Sequence, residues 1–267
     1  MKLSITVELQ FHAAQPVDCL LQCEVAAMPE QRILSGVTRL PASIAIKRVP
    51  AQDSVGERFW ITAEKDVAIT YEAQVEIARS ATDSARLGSL SEIHKTELPG
   101  EATQYLFDSR FCAAESFQSF VASEFAETRG GARIAAIREW IADHFSYTPG
   151  VSGPHTSARD SFVERRGVCR DYAHVMVALA RASGIPARYA SGYAPDVEPP
   201  DFHAVAEVFL ADPQGSGGDW VPVDATGMAK PDELAIIGVG RDAADVSFLT
   251  SFGAVSFSGH NVRVERA

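Results

Sequence analysis

Residues Arg165 to Pro186, RRGVCRDYAHVMVALARASGIP, constrain this chain more than any other stretch. From Arg170 onward, Tyr172, Val175, Met176, Leu179 and Ala180 recur at helical spacing, and the run stops at Ser183-Gly184 with Pro186 just beyond. Gly167 breaks the chain ahead of it, so Cys169 falls where a loop turns into a helix. A thiol at that position meets the positive end of the helix macrodipole and unpaired backbone N–H groups. Arg165, Arg166 and Arg170 add nearby positive charge. Both effects favour thiolate, which is the setting of a nucleophile rather than of an inert core thiol.

A thiolate nucleophile needs a base, and the base an orienting partner. His203 opens the strand pattern FHAVAEVFL and Asp224 closes DWVPVDAT. A hairpin centred between Pro213 and Gln214 sets His203 directly opposite Asp224 on one face of a sheet. A slip of one residue would put them on opposite faces. In the expected register His203 takes the proton of Cys169 or holds it as an ion pair, while Asp224 fixes the tautomer and steadies the imidazolium. Taken singly, Cys169 reads as a buried helix-start thiol, His203 as a strand-end surface histidine and Asp224 as a turn residue. Their Cys…His…Asp order, each at the end of an element, favours the functional reading.

The rest of the chain divides into a β-rich part and an α+β part. Up to about residue 80 the strands expected are Lys2–Leu9, Asp18–Ala26, Ser43–Val49, Glu57–Ala63 and Val67–Ala78, a small sandwich or barrel. Residues 80–105, broken by Gly88, Pro99 and Gly100, read as a linker, which gives an N-terminal β domain over 1–100 and a catalytic domain over 101–267. Helical patterns follow at Ser116–Phe125, at Arg133–Phe145 after Gly130-Gly131, and at Ser157–Arg165, where Ser157 and Asp160 fit a capping box. Beyond Pro186 the pattern returns to β, with strands at Ala187–Tyr193, His203–Leu210 and Asp219–Asp224, a turn-rich ADPQGSGG loop, and one or two strands in Val246–Val264.

Charge and cysteine usage narrow the function. A formal net charge of -11 in 267 residues argues against a nucleic-acid or anionic-membrane surface. No apolar run approaches the roughly 18 residues of a membrane span, and MKLSITVELQFH lacks the apolar core of a signal peptide; a soluble, cytoplasmic protein is expected. Cys19 and Cys23, spaced CxxxC, have no second Cys/His pair near them and read as buried thiols rather than a metal site. Asp171 reads as a dipole partner in the first helical turn. His174, about 140° round the helix from Cys169, should not face the same site. Glu207 shares strand parity with His203 and either borders the cleft or caps a rim. His12, His94, His144, His155 and His260 have no recurring spacing and are assigned solvated or core roles. Arg241-Asp242 after GVG is no nucleotide loop.

The run RRGVCRDYAHVMVALARASGIPARYASGY, followed by FHAVAEVF and DWVPVDAT, resembles the transglutaminase-like superfamily in its bacterial branch. The resemblance covers roughly residues 100 to 255, and GRDAADVSF near Gly240 is similar to that branch's C-terminal segment. It implies an α+β, papain-like core with the cysteine helix packed on an antiparallel sheet, preceded by a small all-β domain. It implies Cys169 as nucleophile, His203 as general base and acid, and Asp224 as the orienting residue. The implied chemistry is acyl transfer through a thioester on a peptide or carboxamide of a peptide or protein substrate, with no cofactor and no metal. The backbone N–H of Cys169 is one oxyanion donor, and Tyr147 is a candidate for a second. Hydrolysis is favoured for a bacterial member; cross-linking of glutamine to amines, or a non-catalytic peptide-binding module on the same fold, are the alternatives. The calcium dependence of some animal transglutaminases does not carry over, since no acidic loop of the DxDxDG kind is present.

Overall fold

The computed structural model describes residues 1–211 and 217–267. The first strands are β1 (Lys2–Leu21), β2 (Gln31–Arg39), β3 (Lys47–Pro50) and β4 (Glu57–Ile77). β1 and β4 form a long antiparallel ribbon running from Lys2 against Glu76 to Leu21 against Phe59. Each swallows two of the separately expected strands. The alternation breaks where the pairing jumps between Ala13 and Val17 and where Lys65 adopts φ 63°, so the ribbon bends at a bulge instead of ending. Leu3, Ile5, Val7 and Leu9 and their partners Val75, Ala73, Tyr71 and Ile69 fill one buried face. β2 was not expected. Of its nine residues only Gln31 is buried, and an edge strand without a buried face shows no alternation to read.

Residues 80–105 are more than a linker. They carry α1 (Ser84–Ser89) and α2 (Gly100–Thr103), and Leu87 and Leu90 enter the helical core. Next come α3 (Gln118–Glu124), α4 (Gly130–His144), β5 (Ser146–Tyr147), α5 (Ala158–Glu164), β6 (Arg166–Gly167) and α6 (Cys169–Ala182). α4 starts at the double glycine rather than after it. A Cβ on Gly131 would stand 1.8 Å from the Leu87 carbonyl oxygen, so only glycine lets the first turn of α4 seat against α1. Ile134, Ile137 and Ile141 form its buried stripe. The expected capping box on α5 is present, with Ser157 N–H donating to Asp160 Oδ2 at 2.9 Å.

A second antiparallel sheet has the order β10-β7-β8-β9, from β7 (Ala187–Tyr193), β8 (His203–Ala211), β9 (Gly218–Val223) and β10 (Ala235–Gly240). Val175, Met176 and Leu179 of α6 share one core with Ala206, Val208 and Leu210 of β8. β10, AIIGVG, is buried throughout, and its unbroken apolar run gave no strand period. β11 (Leu249–Ser251) and β12 (Ser256–Arg266) then return to the first sheet, both pairing with β1. The two sheets are fastened together. Tyr193, Ala235 and Ile237 join the β1–β4 core, and the Tyr193 hydroxyl donates to the Cys23 carbonyl at 2.7 Å. The Gln31 amide donates to the Ile236 carbonyl at 2.8 Å and accepts the Ile236 N–H at 2.7 Å. The fold is thus α+β, with the cysteine helix on an antiparallel sheet and a strand-rich N-terminal region.

Candidate active site

Cys169 is placed by the two residues before it and the second residue after it. Val168 caps α6, and its N–H donates to Asp171 Oδ2 at 2.8 Å, so Asp171 serves the helix start as expected. A Cβ on Gly167 would lie 2.5 Å from both Cβ and Oδ2 of Asp171; glycine is needed for that carboxylate to fold back. Gly167 also pairs with Tyr147 in the two-residue bridge of β5 and β6. This leaves the Cys169 thiol partly exposed, its Sγ 3.9 Å from the Phe202 carbonyl oxygen.

His203 and Asp224 are both buried, and Nε2 of the imidazole stands 2.9 Å from Oδ2 of the carboxylate. The register differs from the expected one. β8 and β9 pair Ala206 with Val223 through Ala211 with Gly218, which carries Asp224 two residues away from the position opposite His203. A shift of two preserves the face, so the side chains meet diagonally. The turn expected at Pro213-Gln214 lies outside the described residues.

The carboxylate is held from several sides. Asp224 Oδ1 accepts the Thr226 N–H (2.8 Å) and hydroxyl (2.7 Å), and Oδ2 accepts the Ala229 N–H at 2.7 Å. Burial works against its charge, yet the His203 contact and these hydrogen bonds keep the carboxyl below its ordinary range. Burial likewise opposes a charged His203, but the hydrogen bond to Asp224 and the proximity of Cys169, together with the charges of both, raise the imidazole to about 10. Nδ1 of His203 is buried and, among the described residues, has no partner in ordinary hydrogen-bond geometry. With Nε2 committed to Asp224, Nδ1 is the nitrogen left for the thiol.

A cleft of about 610 Å³ opens on Cys169 and His203. Its walls include Arg110, Arg170, Phe202, Phe248 and His260. His260, to which its lack of recurring spacing assigns a solvated or core role, lines the cleft instead: the return of β12 to β1 brings it here, with Nε2 2.6 Å from Asp201 Oδ1. Tyr147 lies close enough to Cys169 to feel it: burial first, then the Cys169 charge, push its phenol up to about 12. Glu207 is not at the cleft. It is buried with Oε2 2.7 Å from Arg188 Nε, four residues along β8 from His203 and so roughly 13 Å away at strand spacing.

His174 stays behind the site. Its Nε2 accepts the Ala243 N–H at 3.1 Å and its ring stacks on Phe111, while burial and then the charges of Arg170 and Arg181 hold its pKa well below the ordinary value. Cys19, Cys23 and Cys112 are buried, as expected for the first two, and burial raises all three thiols, Cys112 to about 12. Among the described residues no group of three or more His, Cys, Asp and Glu side chains gathers as a metal site, and no helix is long and apolar enough to cross a membrane.

A cysteine at a helix start, set over a strand-borne histidine on an antiparallel sheet, defines a transglutaminase-like core. The sequence pattern of the transglutaminase-like superfamily matches residues 118–225. An uncharacterized protein of Mycobacterium leprae is 30% identical over 224 residues, 80% of this chain and 78% of that one. One of Mycobacterium tuberculosis is 34% identical over 117 residues, 40% of this chain and 37% of that one. Among solved structures, that of "a Putative Cysteine Protease from Cytophaga hutchinsonii" superposes with a TM-score of 0.91 at 30% identity, covering 99% of this chain and 90% of that one. The chain belongs to the transglutaminase-like superfamily.

Proposed function

We propose that the protein is a thiol acyl-transfer enzyme that hydrolyses peptide or carboxamide bonds, with Cys169 as nucleophile, His203 as base and acid, and Asp224 as the orienting carboxylate. The observation that carries this reading is the buried His203–Asp224 pair, 2.9 Å apart, at the cleft that also exposes Cys169. A buried charged pair is costly to assemble and has no evident use in a module that only binds peptide.

His203, protonated at neutral pH because its pKa is raised to about 10, holds the Cys169 proton as an ion pair, and the thiolate Sγ attacks the carbonyl carbon. The oxyanion that forms is met by the Cys169 N–H at the start of α6 and by the Tyr147 hydroxyl, which its raised pKa keeps protonated as a donor. His203 then gives the proton to the departing amine, leaving a thioester on Sγ. Water attacks that thioester as His203 accepts its proton, and the acid departs with the thiol restored. Asp224 holds Nε2 throughout, so that Nδ1 carries both transfers. The protease-like Cytophaga structure favours water over an amine as acceptor.

The test is mass spectrometry of the full chain after exposure to peptide and glutamine-amide electrophiles. An adduct on Cys169 that is released as free acid supports the proposal. Release only to an added primary amine points to transamidation, and absence of any adduct points to the binding module.

A further inference from the structure

The chain holds 35 acidic against 24 basic residues, yet the cleft wall beside Cys169 is cationic. Arg110 and Arg170 both line it, with their guanidinium carbons 4.9 and 4.6 Å from the centre of the Phe111 ring. Contact with the ring orients both cations. Their other contacts differ. Arg170 donates to the carbonyls of Gly153 and Thr156, each at 3.2 Å, and lies 3.7 Å from the buried Asp171 carboxylate. Arg110 is exposed and, among the described residues, makes no hydrogen bond or ion pair of its own.

The carboxylates on adjoining segments are engaged elsewhere. Asp108 accepts the Glu115 N–H at 3.2 Å, and Asp242 accepts the N–H groups of Phe111 (2.9 Å) and Ala244 (3.0 Å). Among the described residues the one carboxylate lining the cleft, Asp201, is held by His260 at 2.6 Å. The cleft therefore presents an oriented guanidinium, with an apolar ring behind it and no internal anion to satisfy it.

We propose that Arg110 determines specificity by binding a carboxylate of the acyl donor close to the scissile amide, so that the preferred substrates are acidic peptides. The fork of a guanidinium matches a carboxylate with two parallel hydrogen bonds, and Arg170 adds to the repulsion of a basic side chain. The overall field of the molecule works the other way, since a chain at -11 repels an acidic peptide at long range. A preference for acidic peptides would thus be local to the cleft. This inference rests on the thiol acyl-transfer reading for what happens to the peptide, but recognition does not depend on the chemistry.

The test uses the full chain carrying Cys169→Ala, titrated calorimetrically with the peptides Gly-Glu-Gln-Glu-Gly, Gly-Ala-Gln-Ala-Gly and Gly-Lys-Gln-Lys-Gly, blocked at both ends. The glutamate peptide should bind at least about tenfold tighter than the lysine peptide, the scale of one hydrogen bond to a charged group. Arg110→Glu should reverse the order, and Arg110→Lys should keep part of the preference. Equal affinities, no binding by any of the three, or a preference that survives Arg110→Glu in a protein with unchanged circular dichroism would overturn the proposal. If the glutamate peptide binds preferentially but never acylates the unsubstituted Cys169, the acyl-transfer reading fails and this one stands; acylation without charge preference gives the reverse.

Discussion

His203 and Asp224 meet diagonally rather than face to face: the β8–β9 ladder leaves Asp224 two residues short of the position opposite His203, yet Nε2 and Oδ2 are 2.9 Å apart. The pairing commits one ring nitrogen and leaves Nδ1 for the thiol. Asp224→Asn would offer Nε2 an amide, which either donates or accepts and so no longer dictates the tautomer. Peptide hydrolysis should fall by roughly 10²-fold or more, within the range that positioned acid–base groups contribute. Retention of near-full kcat by a folded Asp224→Asn protein would remove Asp224 from the mechanism.

Iodoacetamide should alkylate Cys169 first, because Cys19, Cys23 and Cys112 are buried and burial raises their pKa. His203→Ala should slow that alkylation sharply at neutral pH while leaving the other three sites unchanged. An unaltered rate would mean that His203 is not the base.

Two buried histidines should tilt the stability curve in opposite senses. His203 has a folded pKa of about 10, above its unfolded value of about 6.5. Its contribution is therefore complete below about pH 6.5 and is lost as pH rises towards 10. His174 is shifted down by burial and by Arg170 and Arg181, so the unfolded chain binds its proton more readily and stability is lost as pH falls below about 6.5. Thermal melts of His203→Ala should show a shallower alkaline decline than the parent, and those of His174→Phe a shallower acid decline. Slopes identical to the parent would refute the assignments.

Gly167→Ala tests the helix start. Its Cβ would lie 2.5 Å from the Asp171 carboxylate, and something must shift. Loss of the Asp171 bond to Val168 N–H should cost about 1–3 kcal/mol and misplace Cys169, so activity should fall further than stability predicts. Denaturant melts and kcat/KM on the same protein would separate the two effects.

Arg188 and Glu207 form a buried pair at 2.7 Å, with the Arg188 guanidinium carbon also 4.1 Å from the centre of the Trp220 ring. Arg188→Met alone strands the Glu207 carboxylate, removes the cation 3.5 Å from Asp53 Oδ2, and should destabilise by about 3–5 kcal/mol. Arg188→Met with Glu207→Leu should recover the part of that loss due to Glu207, as read by urea melts, while Asp53 keeps its bond from the Tyr105 hydroxyl. A single substitution without measurable effect would mean that water reaches Glu207.

Much of this arrangement could be read from residue order because it is local. Cys169 sits at a helix start flanked by Gly167 and Gly184, and the spacing of Tyr172, Val175, Met176 and Leu179 identifies the buried stripe. The shared face of His203 and Asp224 follows from strand parity, which survives a two-residue error in register. Other features were invisible for physical reasons. β2 buries only Gln31 and β10 buries everything, so neither shows a period of two. His260 reaches the cleft through the pairing of β12 with β1, a contact across some 250 positions that no local pattern encodes. Glu207 shared the right face but sat too far along the strand, and parity alone says nothing about distance.

The closing of β12 onto β1 has a temporal consequence. Leu9 is made early and waits for His260 as its neighbour while nearly all of the intervening chain is synthesised. Cys169, His203 and Asp224 all precede His260 in the chain, so the wall that His260 gives the cleft is synthesised after the residues it faces. Selectivity should therefore be acquired last during biogenesis, when the returning strand docks and the half-built groove becomes a bounded one.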